Sequence, residues 1–236
     1  MSIPLRELQF DLFDVLGLAS SSSTHETFDA VLEAAAKLAD EQFAPHAALA
    51  DRNEPRIENG RVVLPAELTK AMRALADGGF LATSFSEEHG GLGLPFTLSQ
   101  ACGSLFAAAN VGFHSYAMLT QGAANLLVHF GRDAQRRQWV PRMLAGRVYG
   151  TMCLSEPQAG SSLADITTIA SPRVDGRYSL RGRKMWISGG EHELGENIVH
   201  LVLARTPEAP PGVKGISLFL CLVIAKRRLS RRMASV

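Results

Sequence analysis

Cysteine is scarce in this sequence, and the positions of its cysteines exclude two kinds of site. Cys102, Cys153 and Cys221 are odd in number and far apart. They provide neither a disulfide framework nor a closely spaced pair of metal ligands. A reducing, cytoplasmic compartment is therefore expected, and no metal site is predicted.

Long apolar runs are also absent. The longest, Leu218–Ala225, has eight residues, whereas a membrane-spanning helix needs about 20. The N-terminal segment Met1–Leu18 mixes Arg6, Glu7 and Asp11 into its apolar residues. It does not have the uninterrupted apolar stretch of a signal peptide. The sequence therefore predicts a protein that is not secreted and has no membrane partner.

An excess of charge of either sign is missing as well. There are 24 basic and 23 acidic residues, which gives a net charge of +1. Proteins that bind nucleic acid usually need a marked positive excess to displace the counterions of phosphate groups, so no nucleic-acid partner is expected. Residues 221–236 are the exception, because they contain five basic residues and no acidic one. Weak binding of nucleic acid or of an anionic membrane through Lys226–Arg232 is a minor alternative.

Several catalytic signatures are missing. His192-Glu193 begins like the zinc-protease motif, but Glu196 stands where the second histidine is required. The glycine pattern that begins at Gly91 has Phe96 in place of its third glycine. There is no phosphate-binding GxxxxGK loop and no GxSxG nucleophile turn.

The first part of the chain has the periodicity of helices. Apolar residues recur at a spacing that places them on one face of a helix. Separate helices are predicted at Leu98–Ala109 and at Leu119–Phe130. Ser23 and Glu26 have the spacing of a capping box, which predicts the start of an earlier helix.

The second part has the pattern of strands. Asp175-Gly176 lies between two alternating runs and predicts a β-hairpin. Ile198–Ala204 and Gly215–Ile224 are short and rich in branched residues, which is typical of buried strands. Because helices and strands are segregated, the predicted fold class is α+β, with an all-helical N-terminal domain followed by an antiparallel β domain. The predicted domains are residues 1–147, residues 148–220 and an atypical basic tail at residues 221–236.

Two stretches contain the most chemical information: Met152–Ser161 (MCLSEPQAGS) and Lys184–Gly190 (KMWISGG). A strand is predicted to end at Ser155, and the turn after it exposes main-chain N–H groups and hydroxyls along one edge. Trp186 offers an aromatic wall, and Ser188 adds a hydroxyl. Together these groups suit a planar, oxygen-rich heterocycle. The alternative is an ordinary surface turn together with a tryptophan in the core.

Both stretches resemble the flavin-binding middle domain of the acyl-CoA dehydrogenases. Glu87–Leu94 (EEHGGLGL) is similar to that family's loop between early helices, and Asp133–Gly150 is similar to its helix leading into the first strand. Three stretches within Glu191–Leu220 are most similar to a long subgroup that includes the 3-methylmercaptopropionyl-CoA dehydrogenases. The resemblance covers an N-terminal and a middle domain and ends at about Leu220.

The resemblance implies an FAD site at seven positions: Met152, Leu154, Ser155, Gly160, Ser161, Trp186 and Ser188. Main-chain groups of the first three, and the Ser155 hydroxyl, would bind the pyrimidine end of the flavin. Gly160 and Ser161 would lie near the pyrophosphate, and Ser161 would also contact the acyl-CoA linker. Trp186 would stack against the flavin, and Ser188 would approach its N5 atom.

The implied activity is FAD-dependent α,β-dehydrogenation of an acyl-CoA thioester, as in fatty acid metabolism. In that reaction a carboxylate removes the α proton and the β hydride passes to the flavin, which performs the redox step. The expected partners are an acyl-CoA substrate and an electron-transfer acceptor, and full-length members of the family are homo-oligomeric. Ser162 stands where the family often has aspartate, so no negative charge is expected there.

Family members continue into a second helical domain, which supplies the catalytic glutamate, and the resemblance in this sequence ends before it. The chain is therefore expected to be truncated and to have no dehydrogenase turnover by itself; a genuine short variant is the alternative. No residue is assigned as the catalytic base. Glu156 lies close to the predicted flavin site, but the resemblance implies a structural role for it. A non-catalytic fragment that binds flavin, acyl-CoA or a protein is the alternative function.

Overall fold

The computed structural model describes residues 4–222, in which a helical region precedes a β region. The described residues form two compact units. The helical unit runs to Gly150 and also includes Glu191–Glu196, while the sheet unit comprises Thr151–Gly190 and the residues from Asn197 onward. The predicted α+β class, with helices first and strands second, is confirmed.

The α-helices belong to the helical unit. In chain order they are α1 (Leu5–Phe10), α2 (Ser22–Leu38), α3 (Ala47–Arg52), α4 (Ala66–Asp77), α5 (Phe96–Phe130) and α6 (Asp133–Leu144). The Ser21 hydroxyl caps α2 by accepting a hydrogen bond from the Thr24 N–H at 3.2 Å. The capping box predicted at Ser23 and Glu26 is therefore wrong, because Ser21 is the residue with extended backbone before the helix.

The core of the helical unit is formed by apolar side chains from successive helices. The largest fully buried members are Leu32, Phe43, Leu68, Met72, Leu75, Leu81, Leu98 and Phe106. The ring centroids of Phe43 and Phe106 lie 5.2 Å apart in a tilted arrangement, which adds an aromatic contact to the burial of apolar area. Helical periodicity therefore places one face each of α2, α4 and α5 in a shared core.

Element α5 spans 35 residues and consists of two helices joined at a kink. The backbone leaves helical geometry at Asn110, where φ is −162° and ψ is 91°. The Asn110 Oδ1 atom accepts a hydrogen bond from the Phe113 N–H at 3.1 Å, so this side chain caps the second half of the helix. The prediction of two helices is confirmed: the first ends at Ala109 as predicted, and the second starts directly after Asn110 rather than at Leu119, without an intervening loop.

A small antiparallel hairpin interrupts the helical region. Strand β1 (Arg56–Glu58) pairs with β2 (Arg61–Val63) through a turn at Asn59-Gly60. Both turn residues have positive φ, 52° and 73°, which a type I′ hairpin turn requires. The prediction of an all-helical N-terminal domain is corrected here, since strands of three residues are too short to show a period-two pattern.

The second part of the chain forms a five-stranded sheet, all of which except residues 148–150 belongs to the sheet unit. Its strands are β3 (Val148–Cys153), β4 (Ile169–Pro172), β5 (Tyr178–Arg181), β6 (Asn197–Arg205) and β7 (Ile216–Leu222). The strand order is β3-β6-β4-β5, and β7 pairs antiparallel with β6. Strands β4 and β6 pair in parallel at Ile169 and Arg205. The prediction of an antiparallel β domain holds for the β4–β5 and β6–β7 pairs. It does not hold for β4 with β6, because the chain reverses at β5 and again before β6, which gives these two strands the same direction.

Strands β4 and β5 form the hairpin predicted around Asp175-Gly176. The Arg173 N–H donates to the Arg177 carbonyl at 2.8 Å, and the Gly176 N–H donates to the Arg173 carbonyl at 3.1 Å. These bonds enclose a three-residue loop rather than a two-residue turn. Such loops combine a type I turn with a left-handed residue, and Gly176 has φ 74°.

The C-terminal end of the chain is described only as far as β7. Cys221 and Leu222 belong to that strand, and the remainder of the predicted basic tail, including Lys226–Arg232, lies outside the described residues. Among residues 4–222, no helix combines the length and apolar character needed to cross a membrane.

Candidate functional site

The end of β3 and the segment Lys184–Ser188 lie side by side in the sheet unit. The Met185 N–H donates a hydrogen bond to the Ser155 carbonyl at 3.0 Å. The Lys184 Nζ atom donates to the Leu154 carbonyl, also at 3.0 Å and across 30 positions of sequence. The two stretches singled out in the sequence, Met152–Ser161 and Lys184–Gly190, therefore meet through direct hydrogen bonds.

Trp186 lies at the surface of the sheet unit, with 83% of the residue exposed. The alternative of a core tryptophan is therefore wrong. Its φ of 60° is left-handed, a conformation that costs a non-glycine residue about 1–2 kcal/mol. Strained backbone of this kind is concentrated at ligand-binding sites. Ser188 is also exposed, in a turn where the Gly190 N–H donates to the Ile187 carbonyl at 3.1 Å.

The turn after β3 places Gly160 and Ser161 at the surface. Glu156 and Ala159 exchange main-chain hydrogen bonds of 2.7 and 3.1 Å, which close the turn. Among residues 4–222, no hydrogen bond joins Gly160 or Ser161 to Trp186. The structure thus brings the strand end and the tryptophan segment together, and it places the glycine and serine on the turn beyond them.

Glu156 is a buried carboxylate, only 4% exposed, within this turn. It accepts hydrogen bonds of 2.6–3.0 Å from Lys184 Nζ, from Gln158 Nε2, and from both the N–H and the hydroxyl of Thr167 and Thr168. Burial by itself raises the pKa of Glu156, but these donors outweigh burial and hold that pKa well below its ordinary value. A carboxylate enclosed by donors is not available to remove a proton from a substrate.

The partners of Glu156 were missed by reasoning from the sequence. Lys184 stands 28 positions away, and Thr167 and Thr168 are two polar residues in a loop without a motif. The sequence did contain one indication that Glu156 has a partner. It is a charged residue directly before Pro157 and shortly after a largely apolar strand. Such a residue needs a partner when it is buried, but spacing does not identify the partner.

Arg205, at the end of β6, fixes the loop that follows Ser161. Its guanidinium donates to four main-chain carbonyls at 2.7–3.1 Å, those of Ala164, Ile166, Pro210 and Gly212. The planar fork of five N–H donors lets one arginine bind several carbonyls at once. The course of residues 161–166 is therefore set by β6 as well as by the local turn.

The groups at this surface fit a planar heteroaromatic cofactor. The exposed indole of Trp186 offers stacking area, and the neighbouring peptide groups and serine hydroxyls offer hydrogen bonds. Among the residues that the structure describes, no group of three histidine, cysteine, aspartate or glutamate side chains is placed to hold a metal ion.

Comparison with family models identifies the class of protein. The model of the acyl-CoA dehydrogenase N-terminal domain matches residues 25–147, and the model of the acyl-CoA dehydrogenase middle domain matches residues 151–228. The chain belongs to the acyl-CoA dehydrogenase family. The middle-domain match extends past Leu220, where the sequence resemblance was expected to end.

Curated proteins that are similar to the chain are named as dehydrogenases of acyl-CoA compounds. The chain is 44% identical over 191 residues to the 3-methylmercaptopropionyl-CoA dehydrogenase of Ruegeria pomeroyi, covering 81% of this chain and 32% of the relative. It is 33% identical over 226 residues to a broad-specificity linear acyl-CoA dehydrogenase of Mycobacterium tuberculosis, covering 91% and 36%. The chain therefore spans about a third of the length of these relatives.

Solved structures share the fold. The butyryl-CoA dehydrogenase of Megasphaera elsdenii has a TM-score of 0.68 at 22% identity, over 84% of this chain and 48% of that one. An acyl-CoA dehydrogenase from Bacillus anthracis, solved in complex with FAD, has a TM-score of 0.66 at 22% identity, over 85% and 31%. At these identities the likeness establishes the fold of the chain.

Proposed function

We propose that the sheet unit binds FAD and that the chain serves the α,β-dehydrogenation of an acyl-CoA thioester. The observation that carries the proposal is the hydrogen bond from Met185 to Ser155, which sets the exposed Trp186 beside the end of β3. Membership of the acyl-CoA dehydrogenase family supports it.

The seven predicted positions receive these roles within the proposal. Main-chain groups of Met152, Leu154 and Ser155, with the Ser155 hydroxyl, bind the pyrimidine end of the flavin. The carbonyls of Leu154 and Ser155 already accept hydrogen bonds, so the N–H groups and the hydroxyl are the donors assigned to the flavin oxygens. Trp186 stacks on the ring system, and Ser188 approaches N5.

Ser161 and Gly160 are assigned to the cofactor's pyrophosphate, with Ser161 also assigned to the acyl-CoA linker. Both residues are exposed, and the loop after them is held by Arg205. When FAD is bound it supplies the acceptor for the hydride from the β carbon. The described residues bind and orient; we assign none of them as the base, because the Glu156 carboxylate is enclosed by donors.

The proposed partners are inferred from the family and from its named relatives. The curated relatives are named as dehydrogenases of acyl-CoA compounds, so an acyl-CoA is the proposed substrate. An electron-transfer protein is the proposed acceptor, and homo-oligomers are proposed for the full-length enzyme. The three cysteines are free thiols, which supports a reducing, cytoplasmic compartment.

The test is a titration of the purified chain with FAD, followed by flavin fluorescence and by the visible absorption spectrum. We expect saturable binding, and we expect Trp186→Ala to weaken it by about tenfold, since stacking on an aromatic side chain contributes about 1–3 kcal/mol. Phe130→Ala is the matched control, because Phe130 is also an aromatic residue with 79% exposure but belongs to α5.

Two results would contradict this proposal. One is an absence of FAD binding by the folded parent chain, and the other is an equal loss of affinity in the Trp186→Ala and Phe130→Ala variants. Addition of an acyl-CoA and an artificial electron acceptor to the FAD-loaded chain then separates catalysis from binding. Binding without turnover would favour the alternative of a non-catalytic flavin-binding or acyl-CoA-binding fragment, which the enclosed Glu156 carboxylate favours.

A further inference from the structure

A single ammonium group connects a buried carboxylate with the end of β3. Lys184 Nζ lies 2.8 Å from Glu156 Oε1 and 3.0 Å from the Leu154 carbonyl oxygen. Only 12% of the Lys184 side chain and 1% of the Glu156 side chain are exposed. An ion pair this well buried holds its geometry, because moving either partner leaves an uncompensated charge in a poorly solvated place.

The carboxylate that holds Lys184 is itself fixed from a third segment. Thr167 donates its N–H and hydroxyl to Glu156 Oε2 at 2.7 and 2.9 Å. Thr168 donates the same two groups to Oε1 at 3.0 and 2.6 Å. Gly182 lets the chain pass directly against Thr168, since a Cβ atom there would lie 2.2 Å from the Thr168 hydroxyl. The four hydrogen bonds from Thr167 and Thr168 therefore hold the Glu156 carboxylate in place, so it does not turn to follow a displaced lysine.

Lys184 stands two residues before Trp186, and the residue between them makes the main-chain bond to Ser155. The side chain of Lys184 and the N–H of Met185 thus attach neighbouring positions of one segment to neighbouring carbonyls of the other. The left-handed φ of Trp186 follows directly after these two attachments. Among the hydrogen bonds of residues 4–222, removal of the ammonium group would leave the Met185 bond as the one direct attachment of the strained tryptophan segment to the strand end.

We propose that Glu156 and Lys184 form a positioning pair that sets the Trp186 segment against Leu154 and Ser155 and thereby determines the affinity of the site for FAD. This inference rests on the proposed function for its cofactor. Neither residue is catalytic: the pair acts through the backbone that it holds. Glu156 fixes the lysine, and the lysine fixes the segment.

The experiment compares Lys184→Met with Arg183→Met in the full chain. Methionine keeps an unbranched apolar side chain and removes the ammonium group, and Arg183 is the exposed neighbour of Lys184. Amide hydrogen exchange at Met185 is measured first, without FAD, and FAD affinity is then measured by fluorescence. We expect faster exchange at Met185 only in Lys184→Met, with FAD binding weakened by about tenfold or more, as for loss of one charged hydrogen bond.

Circular dichroism establishes that each variant is folded, and Glu156→Gln is the second variant should Lys184→Met not fold. It removes the charge and keeps the shape of the side chain, so it should show the same faster exchange at Met185. Unchanged exchange in folded Lys184→Met or Glu156→Gln would overturn the positioning role, whatever the FAD result. Faster exchange in a chain whose parent does not bind FAD would support the positioning of the segment, and it would overturn the proposed function together with the effect on FAD affinity that rests on it.

Discussion

At Glu156 two opposing effects act on one carboxyl group. Burial disfavours the charged form and raises the pKa, whereas Lys184, Thr168 and Thr167 donate hydrogen bonds that favour the charged form. The donors prevail, so the pKa of Glu156 in the folded chain lies below its ordinary value of 4.5. The carboxylate is ionised at neutral pH and acts as a structural anion.

This shift makes the stabilising effect of Glu156 depend on pH. A carboxyl group with a depressed pKa in the folded state stabilises the fold fully above its unfolded pKa, and the effect is lost as the pH falls towards the folded pKa. We therefore expect Glu156→Gln to lower the free energy of unfolding most at about pH 7 and progressively less below about pH 4.5. Urea unfolding of both proteins across this range measures the difference.

Glu193→Gln provides the matched control for this pH series. Glu193 is a largely exposed glutamate that pairs with Arg61, and exposed pairs contribute about 0–1 kcal/mol. Its removal should have a small effect at every pH. A difference between the parent and Glu156→Gln that stays constant from neutral to acidic pH would contradict the shifted pKa.

At the scale of elements, α5 shows how one polar side chain organises a long helix. Asn110 breaks the helical geometry and replaces the lost main-chain bond, because its Oδ1 accepts from the Phe113 N–H. Its Nδ2 donates to the Phe43 carbonyl at 3.4 Å, which connects the break to the end of the segment that follows α2. Both polar atoms of the buried Asn110 amide are therefore hydrogen-bonded at the break, the oxygen to Phe113 and the nitrogen to Phe43.

We expect Asn110→Ala to lower the free energy of unfolding by about 1–3 kcal/mol, the range for loss of a cap and of a buried hydrogen-bond partner. Asn125→Ala is the control, because Asn125 lies on the same helix and is exposed. Chemical denaturation of both variants gives the comparison. Equal stability of the two variants would show that the Asn110 side chain does not hold the break.

The hairpins show what patterns can and cannot predict at this scale. Asp175-Gly176 identified the β4–β5 hairpin because a turn residue between two alternating runs is a local signal. The β1–β2 hairpin was not found although Asn59-Gly60 is a turn signal, because its three-residue strands show no alternating run beside the turn. The parallel pairing of β4 with β6 was not found, because pairing between non-consecutive strands leaves no local signal. Local rules therefore predicted the turn and missed the sheet order.

At the scale of the whole molecule, surface charge contributes little to stability. Within residues 4–222, Lys184–Glu156 is the one ion pair whose two side chains are both largely buried; the other pairs are substantially exposed. The net charge is +1, so long-range repulsion is also small. Stability then depends on the apolar cores of the two units and on buried hydrogen bonds.

The salt dependence of the urea midpoint tests the conclusion that surface charge contributes little to stability. We expect the urea midpoint to change little between about 0.05 and about 0.5 M NaCl, since exposed pairs are weak and are screened at the higher concentration. Glu196→Gln, which removes the partner of Arg142 and Arg147, should leave the midpoint nearly unchanged at both concentrations. A marked fall of the parent's midpoint in salt would show that surface pairs stabilise the fold.

The sequence by itself determined the order of helices and strands, the β4–β5 hairpin and the two separate motifs around Ser155 and around Trp186, because each of these depends on residues close together in the chain. Only the tertiary structure decided that Ser155 accepts from Met185, that Trp186 is exposed and that Glu156 is paired with Lys184. The Met185–Ser155 bond joins positions 30 apart, and the Lys184–Glu156 pair joins positions 28 apart. Burial and pairing arise from the packed chain, and spacing along the sequence does not encode which distant donor reaches a buried acceptor.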